Sequence, residues 1–223
     1  MIDKTVATVE EAVTGIKDGD TVLIGGFGES GIPKTLIDGV LDLGVTDLTL
    51  VTNNAGTGEG DIAALIREAR VAKIICSYPR SAGSIWFEKY WEAGRIELEV
   101  TPQGTLSERM RAAGAGLGGF FTPAGADSEL ANGKEVRVIN GRQHVFEKPL
   151  PGDVALVQGL RADRWGNIIY NNVARNFGPT MLTAAKLAVV EVREIVPLGS
   201  LDPEAIVSPG IFVDRVVQVG ERA

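Results

Sequence analysis

An open α/β domain, its sheet mostly parallel and covered by helices on both faces, is the fold class that three features of this chain predict. Short apolar, β-branched runs alternate with helix-patterned segments through the first half. A later stretch breaks into short strands around Asn140-Gly141, which signals an antiparallel hairpin insertion. The 223 residues, 44% hydrophobic and 23% charged, suffice for one large domain with a proper core. No linker interrupts them, so a single domain over 1–223 is expected.

Residues 8–16 have helical spacing, with Thr8 as cap and Glu11 three residues on, the pattern of a capping box. A strand over 21–24 leads into a glycine-rich loop. Pro33 suits the first turn of the next helix, where its missing N–H costs nothing. That helix runs over 34–43 and stops at Gly44. There follow a strand over 48–51, a loop over 52–61, a helix over 62–69 and a strand over 74–77. A helix over 84–94 carries Trp86, Phe87, Tyr90 and Trp91, and a strand over 96–100 meets a helix over 105–113 capped by Thr105. The hairpin pairs 136–139 with 143–147. A buried strand over 154–160, a helix over 179–185 and strands over 187–192 and 211–219 close the chain.

Segment 18–33 is the most informative, because it joins a buried strand to a helix start and carries Gly19, Gly25, Gly26, Gly28 and Gly31. Glycine permits positive φ and lets a ligand approach the main chain closely. The unpaired N–H groups that open the next helix are expected to point into the gap, and phosphate or carboxylate is the natural guest. Gly26, Gly28 and Gly31 also spell the G-x-G-x-x-G spacing of a dinucleotide-binding turn. A nicotinamide site wants Asp or Glu at the tip of the second strand. Here the strand over 48–51 runs into Thr52, Asn53 and Asn54. A third reading keeps the glycines only for turning the chain.

In an open α/β sheet ligands bind at the carboxyl ends of the strands, which puts the glycine loop, Asn53, Asn54 and Gln103 on one rim. The competing role for these amides is to satisfy loop backbone groups. The run 114–119 repeats the dinucleotide spacing, but behind a helix rather than a strand, and reads as a loop or lid. Segment 164–178 is dense in amides, arginines and aromatics, which suits an interface or site.

A formal net charge of −7 argues against nucleic acid or an anionic membrane as partner. Cys76 is the only cysteine, so no internal disulfide and no multi-cysteine metal site is expected. His144 is the only histidine, which excludes a paired-histidine metal site within this chain, and it reads as a solvated hairpin residue. Without a secretion signal or an apolar run of membrane-spanning length, the expected setting is soluble and cytoplasmic. No activated nucleophile is apparent: Glu29 lies inside the anion loop, and Ser30 has no base near it in sequence. A polar rim without a reactive residue suggests half of an active site.

Several ordered motifs carry a resemblance over nearly the whole chain. Gly25-Gly-Phe-Gly-Glu-Ser-Gly-Ile-Pro33, Asn53-Asn-Ala-Gly56, Pro102-Gln-Gly-Thr-Leu106, Gly114-Ala-Gly-Leu-Gly118 and Ala174-Arg-Asn-Phe-Gly178 together resemble the A (alpha) subunits of family I CoA-transferases, the 3-oxoacid and β-ketoadipate CoA-transferases. Met1-Ile-Asp-Lys4, Lys73-Ile-Ile-Cys-Ser77 and Asp163-Arg-Trp-Gly-Asn167 look most like those that move CoA from succinyl-CoA to β-ketoadipate (3-oxoadipate) in aromatic catabolism.

The resemblance implies a CoA-transferase fold and ping-pong exchange. A glutamate attacks the donor acyl-CoA, becomes a glutamyl-CoA thioester and passes CoA to the acceptor acid. That glutamate belongs to a B-type partner polypeptide, in a Ser-Glu-Asn-Gly motif absent from this chain, so an α2β2 heterotetramer is implied. Gly25, Gly26, Phe27, Gly28, Glu29, Ser30 and Gly31 would bind CoA, and Asn53, Asn54 and Gln103 would lie near the acid. Coenzyme A thioester enters as substrate, with no tightly bound cofactor and no metal. One departure stands out: where many relatives carry Thr-Gly-x-Gly-Thr, this chain has Ala124-Gly-Ala-Asp-Ser-Glu-Leu130. Its added carboxylates, Asp127 and Glu129, are expected to face solvent.

Overall fold

The computed structural model of the protein describes residues 2–81 and 83–220. Among them the chain runs β1 (Thr5–Val6), α1 (Val9–Val13), β2 (Thr21–Ile24), α2 (Lys34–Leu43), β3 (Leu48–Asn54), α3 (Asp61–Arg67), β4 (Val71–Tyr78), α4 (Ile85–Glu92), β5 (Glu97–Val100) and α5 (Gln103–Gly114). It continues through β6 (Phe120–Thr122), β7 (Val136–Ile139), β8 (Arg142–Glu147), β9 (Gly152–Gln158), β10 (Arg161–Asp163), β11 (Ile168–Ile169), α6 (Gly178–Ala184), β12 (Ala185–Val192), β13 (Glu194–Val196) and β14 (Arg215–Gln218).

Eight strands form the central sheet in the order β1-β14-β12-β9-β2-β3-β4-β5, and every neighbouring pair is parallel. Its central strands are apolar toward both faces because both are covered, whereas the edge strand β5 is partly exposed. Val22 and Ile24 of β2 pack with Leu36, Ile37 and Val40 of α2, Leu65 of α3 and Phe87 of α4. Leu23, pointing the other way by the two-residue period of a strand, meets Leu106 and Met110 of α5 and Met181 and Leu182 of α6. The predicted open α/β class is thus the observed one. The hairpin insertion is also present, as the antiparallel sheet β6-β8-β7. Asn140 (φ 51°) and Gly141 (φ 77°) both take the left-handed conformation that a two-residue hairpin turn demands.

From β2 the chain steps outward through β3, β4 and β5, then returns to β9 on the other side of β2. The strand order reverses there, so the carboxyl ends of β2 and β9 flank the crevice where an open α/β sheet receives ligands.

Several boundaries differ from expectation. β3 and β4 extend to Asn54 and Tyr78, because their parallel ladder continues through Thr52↔Cys76 and Asn54↔Tyr78 and backbone pairing does not require apolar side chains. Asn53 and Asn54 are therefore strand-end residues. α5 starts at Gln103 behind Pro102, which places Thr105 inside the first turn and not at the cap. α1 stops at Val13, since Thr14 is extended (ψ 131°). Its Thr8 cap accepts from the Glu11 amide, while the Glu11 carboxylate reaches the Ala7 amide. The final strand is confined to Arg215–Gln218, and Ile211, in a 3-10 turn, is 80% exposed.

A partly buried ion pair fixes α5, and with it Gln103, against β5. Arg109, only 9% exposed, donates from Nη1 to Glu99 Oε1 at 2.6 Å and from Nε to the Lys148 carbonyl at 3.0 Å. Lys73 Nζ holds the other Glu99 oxygen at 3.0 Å. Burial alone would raise the Glu99 carboxyl, but the hydrogen bonds from Arg109 and Lys73 outweigh it and hold the group below the usual carboxylate range. A depressed folded-state pKa gives stability that is present above the unfolded value, about 4.3, and is lost as pH falls through the folded value. Glu99→Gln should therefore lower Tm at pH 7, with a deficit that narrows in thermal melts below about pH 4. A deficit of constant size down to acid pH would contradict this assignment.

Candidate active site

The carboxyl ends of the adjacent strands β2, β3, β4 and β5 deliver Phe27, Gly28, Glu29, Asn53, Asn54, Ser77, Tyr78 and Gln103 to one open cleft of about 650 Å³. Six of the residues singled out from the sequence line it: Phe27, Gly28, Glu29, Asn53, Asn54 and Gln103. Gly25 and Gly26 lie buried beneath the loop. Ser30 and Gly31 face a smaller neighbouring pocket of about 210 Å³ beside Gln158 and Asn171.

Asn53 is the hub of the amide side. It is 7% exposed, and its Oδ1 accepts from Gln103 Nε2 at 2.7 Å and from the Ser77 hydroxyl at 2.9 Å. With the oxygen doubly engaged, the Nδ2 donors face away from those partners. Asn54 behaves differently, since its Oδ1 accepts from the Gly56 amide at 2.8 Å and stabilises the turn after β3. Sequence reasoning misses Ser77. The signal lies in the strand over 74–77, whose last residue occupies the same rim as Asn53. Cys76, one residue earlier, points into the core on the opposite face, where burial pushes its thiol up to about 12 and keeps it protonated.

In the glycine loop, Phe27 and Ser30 exchange backbone hydrogen bonds of 3.0 and 3.1 Å, so Gly28 and Glu29 form the tip of a tight turn. The Gly25 amide donates to the Leu156 carbonyl of β9 at 3.0 Å, and the Gly26 amide to Asn176 Oδ1 at 3.0 Å. A Cβ at Gly26 (φ 135°) would lie 2.7 Å from Ile32 Cγ1, and one at Gly31 (φ 74°) would run into the Ala174 carbonyl. A Cβ at Gly28 (φ 58°) would meet nothing within 4 Å. The Gly28 and Glu29 amides donate to no group among the described residues.

The opening of α2 corrects one expectation. Its Leu36 amide already donates to Glu191 Oε2 at 2.9 Å, from a side chain 1% exposed at the end of β12. Gln158 Nε2 reaches Glu191 Oε1 and the Ile32 carbonyl, both at 3.2 Å. A fixed internal carboxylate thus caps one of the amides that open the helix, so that amide is not free for a ligand. Beside that tip, Lys34 Nζ lies 3.2 Å from Asp61 and 3.6 Å from Glu29, and its pKa is raised chiefly by the Asp61 hydrogen bond. Glu29 is exposed and accepts from the Thr57 hydroxyl at 3.1 Å.

Elsewhere, Asp127 and Glu129 are exposed, as expected of the 124–130 loop. His144 sits half-buried in the hairpin, with Nδ1 2.9 Å from the Arg142 carbonyl. Residues 115–119 connect α5 to β6, and segment 164–178 brings Asn176 to the glycine loop.

A family model described as Coenzyme A transferase matches residues 6–219. The chain belongs to the coenzyme A transferase family. It is similar to the A subunit of the 3-oxoadipate CoA-transferase of Pseudomonas putida, with 52% identity over 223 residues, 100% of this chain and 96% of that one. The protein of the same name from Acinetobacter baylyi is 51% identical, over 98% of this chain and 96% of its own. The A subunit of the succinyl-CoA:3-ketoacid coenzyme A transferase of Helicobacter pylori is 41% identical, over 99% and 94%. Among solved structures, glutaconate coenzyme A-transferase from Acidaminococcus fermentans superposes with a TM-score of 0.86 at 23% identity, over 97% of this chain and 76% of that chain. The acyl-CoA transferase from Escherichia coli O157:H7 does so with 0.84 at 20% identity, over 97% of this chain and 47% of that one. This chain thus spans about half of the latter, and the likeness to both is one of fold.

The protein is accordingly an enzyme of the CoA-transferase class, whose members use CoA thioesters as substrates. Relatives whose names mark them as A subunits imply that each works with a separate B-type partner. Among the described residues no helix is long and apolar enough to cross a membrane. Removing the internal cap of α2 by Glu191→Ala strands the Leu36 amide and should cost about 1–3 kcal/mol in urea unfolding, whereas loss of less than a few tenths would show that the cap carries little.

Proposed function

We propose that this chain is the non-nucleophilic A-type component of a CoA-transferase that moves CoA from succinyl-CoA to 3-oxoadipate in the breakdown of aromatic compounds. The observation that carries the reading is a cleft furnished with hydrogen-bond donors and, among the described residues, no activated nucleophile. Glu29 at its edge is tied to Thr57 and Lys34, and Cys76 is buried and protonated. Full-length identity of 52% and 51% to proteins named for that reaction supports the choice of acid.

In this reading residues 25–31 receive the acyl-CoA, with the exposed tip of Phe27, Gly28, Glu29 and Ser30 in contact and Gly25, Gly26 and Gly31 shaping it from below. Asn53 and Gln103 stand where the thioester oxygen gains charge, and the Nδ2 donors of Asn53 stabilise it there. Asn54 holds the adjoining turn. The attacking glutamate comes from the separate B-type partner in an α2β2 assembly, acting in the cytoplasm with coenzyme A as substrate rather than as a resident cofactor. The whole chain serves as one domain of that assembly. Acetoacetate with succinyl-CoA or acetyl-CoA is the runner-up pair, the former favoured by the 41% identity to a component of a succinyl-CoA:3-ketoacid transferase.

Mixing the purified chain with its B-type partner should give CoA transfer from succinyl-CoA to 3-oxoadipate, faster than to acetoacetate, while either chain alone is inactive. Full turnover by this chain alone would overturn the division of labour, and faster use of acetoacetate would overturn the choice of acid. Gly28→Asn tests the loop, because Asn tolerates the left-handed conformation and its side chain enters open space. KM for acyl-CoA should rise about tenfold, near 1.4 kcal/mol of binding, with Tm held. An unchanged KM would remove CoA from the loop.

A further inference from the structure

We infer that Asn176 is a positioning residue that holds the glycine loop in its ligand-receiving shape before any ligand arrives. The inference rests on the proposed contact between that loop and acyl-CoA. One carboxamide makes four hydrogen bonds: Oδ1 accepts from the Gly26 amide at 3.0 Å and the Phe177 amide at 2.7 Å, and Nδ2 donates to the Ser30 carbonyl at 3.2 Å and the Ala174 carbonyl at 2.7 Å. Gly26 precedes the exposed tip and Ser30 follows it, so the loop is pinned on both sides of the two residues whose amides are open.

Two further observations point the same way. Asn176 has φ 28° and ψ −115°, a backbone conformation that costs a residue with a side chain and persists only where the surroundings enforce it. And the loop approaches this segment so closely that a Cβ on Gly31 would collide with the Ala174 carbonyl and Asn176 Nδ2. The chemistry is selective. A group that accepts two N–H bonds at one end and donates to two carbonyls at the other must be an amide. A carboxylate in its place would set an oxygen against the Ser30 and Ala174 carbonyls.

Asn176→Gly separates the two roles of the residue, because glycine adopts the backbone conformation freely and lacks the amide. In the two-component enzyme it should keep Tm close to wild type, raise KM for acyl-CoA at least tenfold with a smaller change in kcat, and speed hydrogen exchange of a peptide covering 25–31. The near-isosteric Asn176→Asp should raise KM at least as much. Wild-type KM in either folded variant overturns the inference if Gly28→Asn does raise KM, as does a lowered Tm with unchanged KM. If exchange at 25–31 quickens in Asn176→Gly while KM stays at wild type in both it and Gly28→Asn, the CoA contact is what fails and the clamp stands. Unchanged exchange in both variants at position 176 sinks the clamp itself.

Discussion

A carboxylate sealed at the point where the strand order reverses organises everything around it. Glu191, next to last in β12, accepts from the amide of the third residue of α2 and from Gln158 of β9, which in turn reaches the Ile32 carbonyl. Burying a carboxylate costs several kcal/mol unless hydrogen bonds and an opposing charge compensate it, and here the positive end of a helix does part of that. Two strands, a helix and the end of the glycine loop are thereby tied at one spot. The loop between β2 and α2 then has fixed ends, and its tip stands away from the sheet as a turn of residues 27–30.

The proposed function asks an acidic chain of net charge −7 to meet an anionic ligand. Long-range attraction is absent, so binding depends on local donors. In the proposed reading, backbone amides at the tip, the Asn53 carboxamide and the nearby Lys34 would supply them. None has to reorganise to act: Asn53 is oriented by Gln103 and Ser77, and Lys34 by Asp61 and Glu29. Donors fixed in advance stabilise a developing charge more effectively than water does, because the cost of orienting them was met on folding.

Much of this is legible in the sequence where the cause is local. The alternation of apolar runs and helical segments, the Asn140-Gly141 turn and the glycine loop each depend on neighbours a few residues away, and each can be read there. The gathering of Asn53 and Gln103 at one rim also follows, since it requires only that they lie at the carboxyl ends of β3 and β5, two strands of one parallel sheet on either side of β4. What escapes depends on partners far along the chain. Glu191 bonds a residue 155 positions distant and Asn176 one 150 away, and no local pattern announces either. The ends of β3 and β4 escape for another reason: pairing there is carried by the backbone, while the side chains turn polar toward the cleft. Gln103 reads as a residue past a strand's carboxyl end because the helical pattern is read from Thr105, whereas α5 begins at Gln103 directly behind Pro102.

The glycines show why spacing alone misleads. Gly26 and Gly31 are needed by the packing beneath, against Ile32 and Ala174, and Gly28 leaves the tip uncovered. A dinucleotide-binding turn faces the same three demands of a tight bend, a close approach to neighbouring chain and an open backbone for an anion, so it arrives at the same G-x-G-x-x-G. The motif therefore records a backbone problem and says little about the guest. Discrimination sits one strand over. A carboxylate at the end of β3 would hold ribose hydroxyls, but Asn53 stands there with its oxygen occupied by Gln103 and Ser77 and its N–H groups turned elsewhere. Such a group donates and does not accept, which suits an oxygen gaining negative charge and not a sugar hydroxyl seeking a base.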